Sequence, residues 1–71
     1  METRLLEYFV AAAAESNITR AARQVYAAQS TVSAGIRSLE NELGVDLFER
    51  VGKPIRLTPA GAALVPEAQA V

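Results

Sequence analysis

The chain has 71 residues, of which 51% are hydrophobic, with a formal net charge of −1 and neither cysteine nor histidine. A domain this small buries only about 60% of its unfolded surface, so we expect a single domain of modest stability. The composition excludes disulfides, thiolate nucleophiles, imidazole bases and the usual zinc ligands. We therefore expect no catalytic residue, no metal and no cofactor. No stretch approaches the roughly 20 apolar residues that span a bilayer, and a soluble cytoplasmic protein with no membrane partner is expected.

Two helices are predicted in the first third of the chain. Apolar residues recur at three- and four-residue spacings over residues 2–15, which predicts an amphipathic first helix. Asn17 suits the N-cap of a second helix, with Thr19 as a second candidate for the same role. This second helix is expected over about residues 18–25, and residues 26–28 lack helical periodicity.

A third helix is predicted over about residues 29–43, and it has two distinct faces. The apolar face has residues that are four, three and four positions apart: Val32, Ile36, Leu39 and Leu43. At 100° per residue, the opposite side holds small and polar residues: Ser30, Ser33, Ala34, Arg37 and Asn41. Gly44 is placed to end the helix as a C′ glycine. The helix is expected to pack by its apolar face and to leave the other face in solvent.

A hairpin is predicted after the third helix, over about residues 48–57. One short strand is expected around Phe48, a turn at residues 51–54 and a second strand at residues 55–57. Lys53 lies near the tip of this hairpin. Gly52 and Lys53 do not form a phosphate-binding loop, because the upstream glycine and the following serine or threonine of that motif are absent.

The chain finishes in a predicted fourth helix. Thr58 followed by Pro59 predicts its start, with the hydroxyl as cap and the proline at the first helical position. The helix is expected to continue to Val71, and Pro66 is the position at which it would kink.

This order of elements is that of a winged helix-turn-helix, a mainly α fold with a three-helix core and a two-stranded wing. Ala21 and Ala22 give the second helix a small face against which the third can cross closely. The N-terminal end of the third helix would then protrude, as it must to enter a DNA major groove about 12 Å wide. The negative net charge is unusual for a DNA-binding domain, although most basic residues lie in the middle of the chain.

Two stretches of sequence match a known pattern. The helix-turn-helix reads Ala21-Ala22-Arg23-Gln24-Val25, then Gln29, Val32-Ser33, Ile36-Arg37 and Leu39-Glu40. The following stretch reads Glu42-Leu43-Gly44-Val45, Leu47-Phe48-Glu49-Arg50 and Leu57-Thr58-Pro59-Ala60-Gly61. Taken together, these two stretches make nearly the whole chain resemble the N-terminal DNA-binding domain of LysR-type transcriptional regulators. The chain departs from the family pattern at two places. It has Ala28-Gln29-Ser30 where Ser-Gln-Pro is common, and Ala34 where a basic residue is frequent. These departures predict a shifted preference for the target DNA sequence.

The resemblance implies sequence-specific binding of double-stranded DNA in transcription regulation. The third helix would occupy the major groove, and the wing would lie on the adjacent backbone or minor groove. The DNA contacts expected from the resemblance and from placement are Gln29, Ser30, Thr31, Ser33, Ala34, Arg37, Arg50 and Lys53. The alternative for most of these residues is an ordinary exposed side chain without a DNA contact. For Arg37 the alternative is a surface pair with Glu40 or Asn41. For Arg50 it is a structural contact that holds the wing to an acidic neighbour.

The resemblance also implies a domain division and an assembly. Residues 1–58 would form the DNA-binding domain, and residues 59–71 would begin a linker helix that pairs through Ala60, Ala63 and Leu64. LysR-type regulators bind dyad operators as homodimers or higher homo-oligomers and carry a C-terminal domain for a small-molecule inducer. That domain lies outside these 71 residues, so we expect an excised fragment or a truncated product. The expected location is the cytoplasm, at the nucleoid.

Two rival functions remain at this point. The same fold could use its third helix to bind a protein partner. The negative net charge slightly favours this function. A small enzyme is the second rival, and no sequence feature supports it. The dependence on salt discriminates, because DNA binding weakens steeply as salt rises and an apolar protein contact does not.

Overall fold

Four helices dominate the described structure, which is a computed structural model covering residues 2–49 and 51–70. In chain order they are α1 (Thr3–Glu15), α2 (Ile18–Gln24), α3 (Gln29–Leu43) and α4 (Pro59–Gln69). Helix α1 contacts each of the other three, and α2 contacts α3. The prediction of a mainly helical fold with four helices is confirmed.

The core joins the helices to the segment that follows α3. Its largest side chains with almost no solvent exposure are Phe9, Leu39, Leu47 and Val32. The rings of Phe9 and Phe48 pack with centroids 5.6 Å apart at a tilt of 58°, an arrangement that aromatic pairs favour. Leu43, which the spacing places on the core face, is 36% exposed because it is the last residue of α3 and lies beyond the core.

The helix ends have the capping residues that the sequence predicts. The backbone N–H of Arg20 donates to Oδ1 of Asn17 at 2.9 Å, so Asn17 caps α2. The N–H of Gly61 donates to Oγ1 of Thr58 at 3.1 Å, which caps α4 with proline in its first turn. Gly44 ends α3 with φ +73°, a left-handed conformation that glycine adopts at little cost.

Several helix bounds differ slightly from the predictions. Helix α1 begins at Thr3 with Glu2 as its N-cap, and α2 ends at Gln24. Helix α4 passes through Pro66 and ends at Gln69 rather than running on to Val71, which lies outside the described residues. The N–H of residue 70 reaches back to the carbonyl of residue 67 at 3.3 Å, so the last turn of α4 tightens, as helix ends commonly do.

The two predicted strands of the wing are not found as strands in the described residues, although the predicted hairpin partners do pair. Within the described residues, an isolated antiparallel bridge between Phe48 and Leu57 takes their place. It is flanked by one hydrogen bond on each side, from the N–H of residue 49 to the carbonyl of 56 and from the N–H of 58 to the carbonyl of 47. Further along, Pro54 has no N–H to donate and Gly52 turns the chain at φ +107°, so this part of the segment does not favour a longer ladder. We call residues 48–57 the wing segment.

Candidate nucleic-acid interface

The solvent face of α3 carries most of the side chains that the sequence singled out. Its apolar residues Val32, Ile36 and Leu39 are buried against the other helices. The opposite face is exposed and holds the candidate contacts Gln29, Ser30, Thr31, Ser33, Ala34 and Arg37. The structure therefore gathers six of the eight candidates on one helical surface, and their DNA contacts stay a prediction. Arg50, a seventh candidate, lies outside the described residues.

Small buried residues lie on α2, which packs against both α1 and α3. Ala21 is fully buried and Ala22 is 4% exposed. This confirms the small face expected on α2. The crossing fixes the start of α3 relative to α2, which a helix-turn-helix needs if its second helix is to meet DNA in a defined orientation.

The turn between these helices is a Schellman motif with an unusual residue. The N–H of Ala27 bonds the carbonyl of Ala22 at 3.0 Å, and the N–H of Tyr26 bonds that of Arg23 at 3.3 Å. These are the two bonds that define the motif, whose left-handed position is usually glycine. Here Tyr26 occupies it with φ +56°, and its side chain is 97% exposed. Periodicity alone gave no sign of this conformation.

A side-chain hydrogen bond joins the first turns of α2 and α3. The Oγ1 hydroxyl of Thr19 donates to Oε1 of Gln29 at 3.0 Å. Asn17 makes the cap of α2, so the second candidacy of Thr19 for that role is wrong. Its hydroxyl instead contacts the first residue of the helix that carries the candidate interface.

Lys53 approaches the start of α3 across a groove. Asn17, Thr19, Gln29, Lys53 and Ile55 are among the residues that line it. The wing segment and the two helix starts therefore form one continuous surface. The exposed ammonium of Lys53 adds positive charge to the rim on which the amide of Gln29 lies.

A second groove separates the middle of α3 from the base of the wing segment. Ser33 and Arg37 line it from the helix, and Glu49 and Ile55 line it from the wing segment. Arg37 is exposed on α3 and lines the junction of the helix with the wing segment. Its contact with DNA stays a prediction.

Glu40 is a buried residue with a structural role, whereas the sequence analysis considered it a surface partner for Arg37. It is only 4% exposed, and its Oε2 accepts hydrogen bonds from the backbone N–H groups of Leu47 at 2.7 Å and Phe48 at 3.3 Å. The carboxylate therefore ties α3 to the start of the wing segment. A signal existed: four residues after Ile36, Glu40 lies only about 40° around the helix from a buried position.

The start of α4 is fastened to the same region by Thr58 and Gly61. Besides capping α4, the hydroxyl of Thr58 donates to the carbonyl of Asp46. Gly61 is buried against the backbone of Leu47, and a Cβ at this position would overlap the Leu47 carbonyl oxygen. Glycine is needed here for a close approach, and both ends of the wing segment are thereby anchored to helices.

Residues 2–49 and 51–70 contain no group of three carboxylates that could hold a metal ion. No helix in that described part is long and apolar enough to cross a membrane.

Comparison with known proteins decides the family. Residues 3–62 match the family described as bacterial regulatory helix-turn-helix proteins of the lysR family. The chain belongs to the LysR family. This LysR-family chain is 51% identical over 69 residues to the HTH-type transcriptional regulator TfdS of Cupriavidus pinatubonensis, covering 97% of this chain and 23% of TfdS. It therefore spans about a quarter of the length of this relative.

Solved structures of LysR-type proteins share its fold. The crystal structure of the BenM_DBD/benA site 1 DNA complex matches with a TM-score of 0.95 at 41% identity, covering 99% of this chain and 79% of that chain. The crystal structure of the CbnR_DBD-DNA complex matches with a TM-score of 0.93 at 38% identity, covering 99% of this chain and 80% of that chain. The four-helix arrangement described above is thus the one found in two proteins crystallised on DNA.

Proposed function

We propose that the chain binds double-stranded DNA sequence-specifically, as the DNA-binding domain of a bacterial transcription regulator. Helix α3 lies in the major groove, and the wing segment meets the adjacent backbone or minor groove. The observation that carries this proposal is the exposed face of α3, where small and polar side chains replace the apolar ones of its buried side. The likeness to the BenM and CbnR complexes supports it.

The proposed contacts divide into reading and positioning. Gln29 suits a bidentate contact with adenine, and Ser30, Ser33 and Ala34 have side chains short enough to let α3 approach base edges and thymine methyl groups. Arg37 contacts a guanine or a phosphate. Thr31, Arg50 and Lys53 contact phosphates, which sets the position of the domain without reading sequence.

A selection on random duplexes tests this function directly. We expect a short motif to be enriched, and we expect binding to that motif to weaken steeply as salt rises, with a slope of about −0.9 per phosphate contacted. Selection of no motif, together with binding that does not respond to salt, would contradict the proposal and favour a protein partner instead.

We propose in addition that residues 1–58 act as the DNA-binding unit and that residues 59–71 begin a linker helix with a dimer surface. Ala60, Ala63 and Leu64 line one mostly apolar groove together with Leu43 and Val45, which are 36% and 45% exposed, and Glu67 lines the same groove. The groove is short, and a stable interface buries about 1,200 Å² or more, so this surface alone supports only weak pairing. Dyad binding and the response to an inducer belong to a whole regulator and remain part of this proposal.

Sedimentation over a range of concentrations tests the dimer surface. We expect a monomer in dilute solution and weak self-association at high concentration. Ala63→Glu should abolish the association, because it adds a second carboxylate, beside that of Glu67, to a groove that is otherwise apolar. Ala62→Glu is the matched control, since Ala62 is also exposed on α4 but does not line the groove. A tight dimer in dilute solution, or equal effects of the two variants, would contradict this use of α4.

A further inference from the structure

The hydrogen bond between Thr19 and Gln29 has a consequence for how DNA is read. We infer that Thr19 is a positioning residue that orients the Gln29 amide before DNA arrives and thereby sharpens base preference. The inference rests on the proposed function, in which Gln29 contacts a base edge. It assigns a role in recognition to α2, whose residues are otherwise packed under α3 or exposed beside it.

Both ends of this bond are attached to rigid backbone. Thr19 lies in the first turn of α2, which Asn17 caps, and Ala21, two residues later, is fully buried. Gln29 is the first residue of α3, and Val32, three residues later, is fully buried. The freedom that remains is in the Gln29 side chain itself, and the Thr19 hydroxyl removes part of it. Ordering a side chain before binding reduces the cost of ordering it on the ligand.

The bond also decides which way round the amide faces. The Thr19 hydroxyl donates to Oε1 of Gln29 at 3.0 Å, so Oε1 faces Thr19 and the Nε2 group faces away from it. Two N–H donors and the second lone pair of Oε1 stay available. A bidentate contact with adenine needs a donor for N7 and an acceptor for the N6 amino group, side by side in a fixed order. An amide held in one orientation presents that order in one place, whereas a free amide can turn over.

A direct phosphate contact by Thr19 is the competing role. Thr19 is exposed and shares its groove with Lys53, so a nucleic-acid backbone near the wing tip would pass close to it. The two roles have different signatures. Loss of a phosphate contact weakens binding to every duplex about equally and lowers the salt slope by about one contact, whereas loss of orientation affects one base pair.

The test compares Thr19→Val, which removes the hydroxyl and keeps the branched shape, with Thr19→Ser, which keeps the hydroxyl. Each variant is titrated against duplexes that differ from the selected site by one base pair at a time. We expect Thr19→Val to lower the preference at a single base pair by about two- to tenfold, the range set by ordering one flexible side chain. Thr19→Ser should keep the preference, and thermal melting should show that both variants fold.

A double variant shows whether the two residues act as one unit. Gln29→Ala should lose preference at the same base pair, and adding Thr19→Val to it should cause no further loss, because the hydroxyl then has no amide to hold. An equal loss on all duplexes with Thr19→Val, present also in the Gln29→Ala background, would overturn the inference in favour of a phosphate contact.

A measurement without DNA separates this inference from the proposed function. Nuclear relaxation of the Gln29 Nε2 group should report an ordered amide in the unsubstituted chain and a mobile one in Thr19→Val. If Gln29→Ala loses base preference but Thr19→Val neither loses it nor frees the amide, the positioning role alone is wrong. If Gln29→Ala leaves base preference unchanged, the reading role of Gln29 in the proposed function is wrong, and this inference is overturned with it.

Discussion

The helix-turn-helix and the wing segment are held in place by different forces. Helices α1 to α3 meet through buried apolar side chains, with Phe9, Val32 and Leu39 at almost zero exposure. Among the described residues, the wing segment is held at its base by the Phe48–Leu57 bridge and by backbone hydrogen bonds to the Glu40 carboxylate, and Ile55 is partly buried against the core. At its outer part, Val51 is 84% exposed.

This difference separates two kinds of substitution. A change at the tip of the wing segment should alter DNA affinity and leave the fold intact, because nothing in the described core depends on the tip. A change at its base should destabilise the whole domain, because the base shares the core with α1 and α3. A domain of this size is stable by only several kcal/mol, so changes of a few kcal/mol at the base are large.

The largest expected effect is that of Gly61→Ala, at the anchor of α4 on the base of the wing segment. Alanine normally favours a helix over glycine by about 1 kcal/mol. Here the added Cβ would overlap the backbone carbonyl of Leu47, which cannot swing aside, so we expect a net loss of about 3 kcal/mol or more in the free energy of unfolding. Urea denaturation measures it.

The control for that variant is Gly44→Ala. A Cβ at Gly44 meets nothing within 4 Å, so only its left-handed backbone conformation is strained and a loss of about 1 kcal/mol is expected. A stability gain in Gly61→Ala would show that α4 does not approach the Leu47 backbone closely.

The polar link between α3 and the wing segment is broken by Glu40→Ala. It leaves the buried N–H groups of Leu47 and Phe48 without their acceptor, which costs about 1 to 3 kcal/mol. Amide exchange at these two positions should accelerate together with the fall in melting temperature. Asn41→Ala, on the exposed side of the same helix, is the control and should change stability little. Equal stability of the two variants would refute the link.

Ala22→Leu tests the apolar packing within the helix-turn-helix. Ala22 is buried on α2, so we expect the larger leucine side chain to overpack the contact with α3 at a cost of about 1 to 3 kcal/mol. Gln24→Leu adds the same side chain at an exposed position of α2 and should leave the melting temperature nearly unchanged. A melting temperature that Ala22→Leu does not lower would mean that the two helices are not packed through this residue.

The smallest expected effect is a gain, in Tyr26→Gly at the turn between α2 and α3. Glycine relieves the left-handed strain at φ +56°, and a side chain that is 97% exposed gives up little packing. We expect about 1 kcal/mol of added stability by thermal or urea unfolding. Gln24→Gly, at the last residue of α2, relieves no left-handed strain and should lower stability instead. Destabilisation by Tyr26→Gly would show that the tyrosine ring makes a contact that supports the turn.

The parts of the fold that depend on local chemistry could be predicted from the sequence. Apolar periodicity located α3 at residues 29–43, and the caps at Asn17 and Thr58 follow from side chains that satisfy nearby N–H groups. The exposed polar face of α3 follows from the same periodicity. These features need no knowledge of which elements meet.

The features that were missed depend on contacts between distant parts of the chain. A pattern of apolar and polar residues counts Glu40 as a surface residue. Its carboxylate is buried because it binds backbone N–H groups seven and eight residues further on, in the segment that follows α3. The close approach at Gly61 and the Thr19–Gln29 bond exist only once helices have packed. The wing strands were overpredicted because alternation over residues 55–57 is too short to outweigh the missing N–H of Pro54.

The most direct test of the whole account compares Gln29→Ala with Lys53→Ala on the selected site and on non-specific duplexes. If α3 reads the sequence, Gln29→Ala costs about 1 to 3 kcal/mol, mainly at the selected site, and lowers the ratio of specific to non-specific affinity. If the wing segment only positions the domain, Lys53→Ala weakens binding to all duplexes about equally and lowers the salt slope by about one contact. An unchanged affinity ratio in Gln29→Ala would contradict the base-reading role of α3.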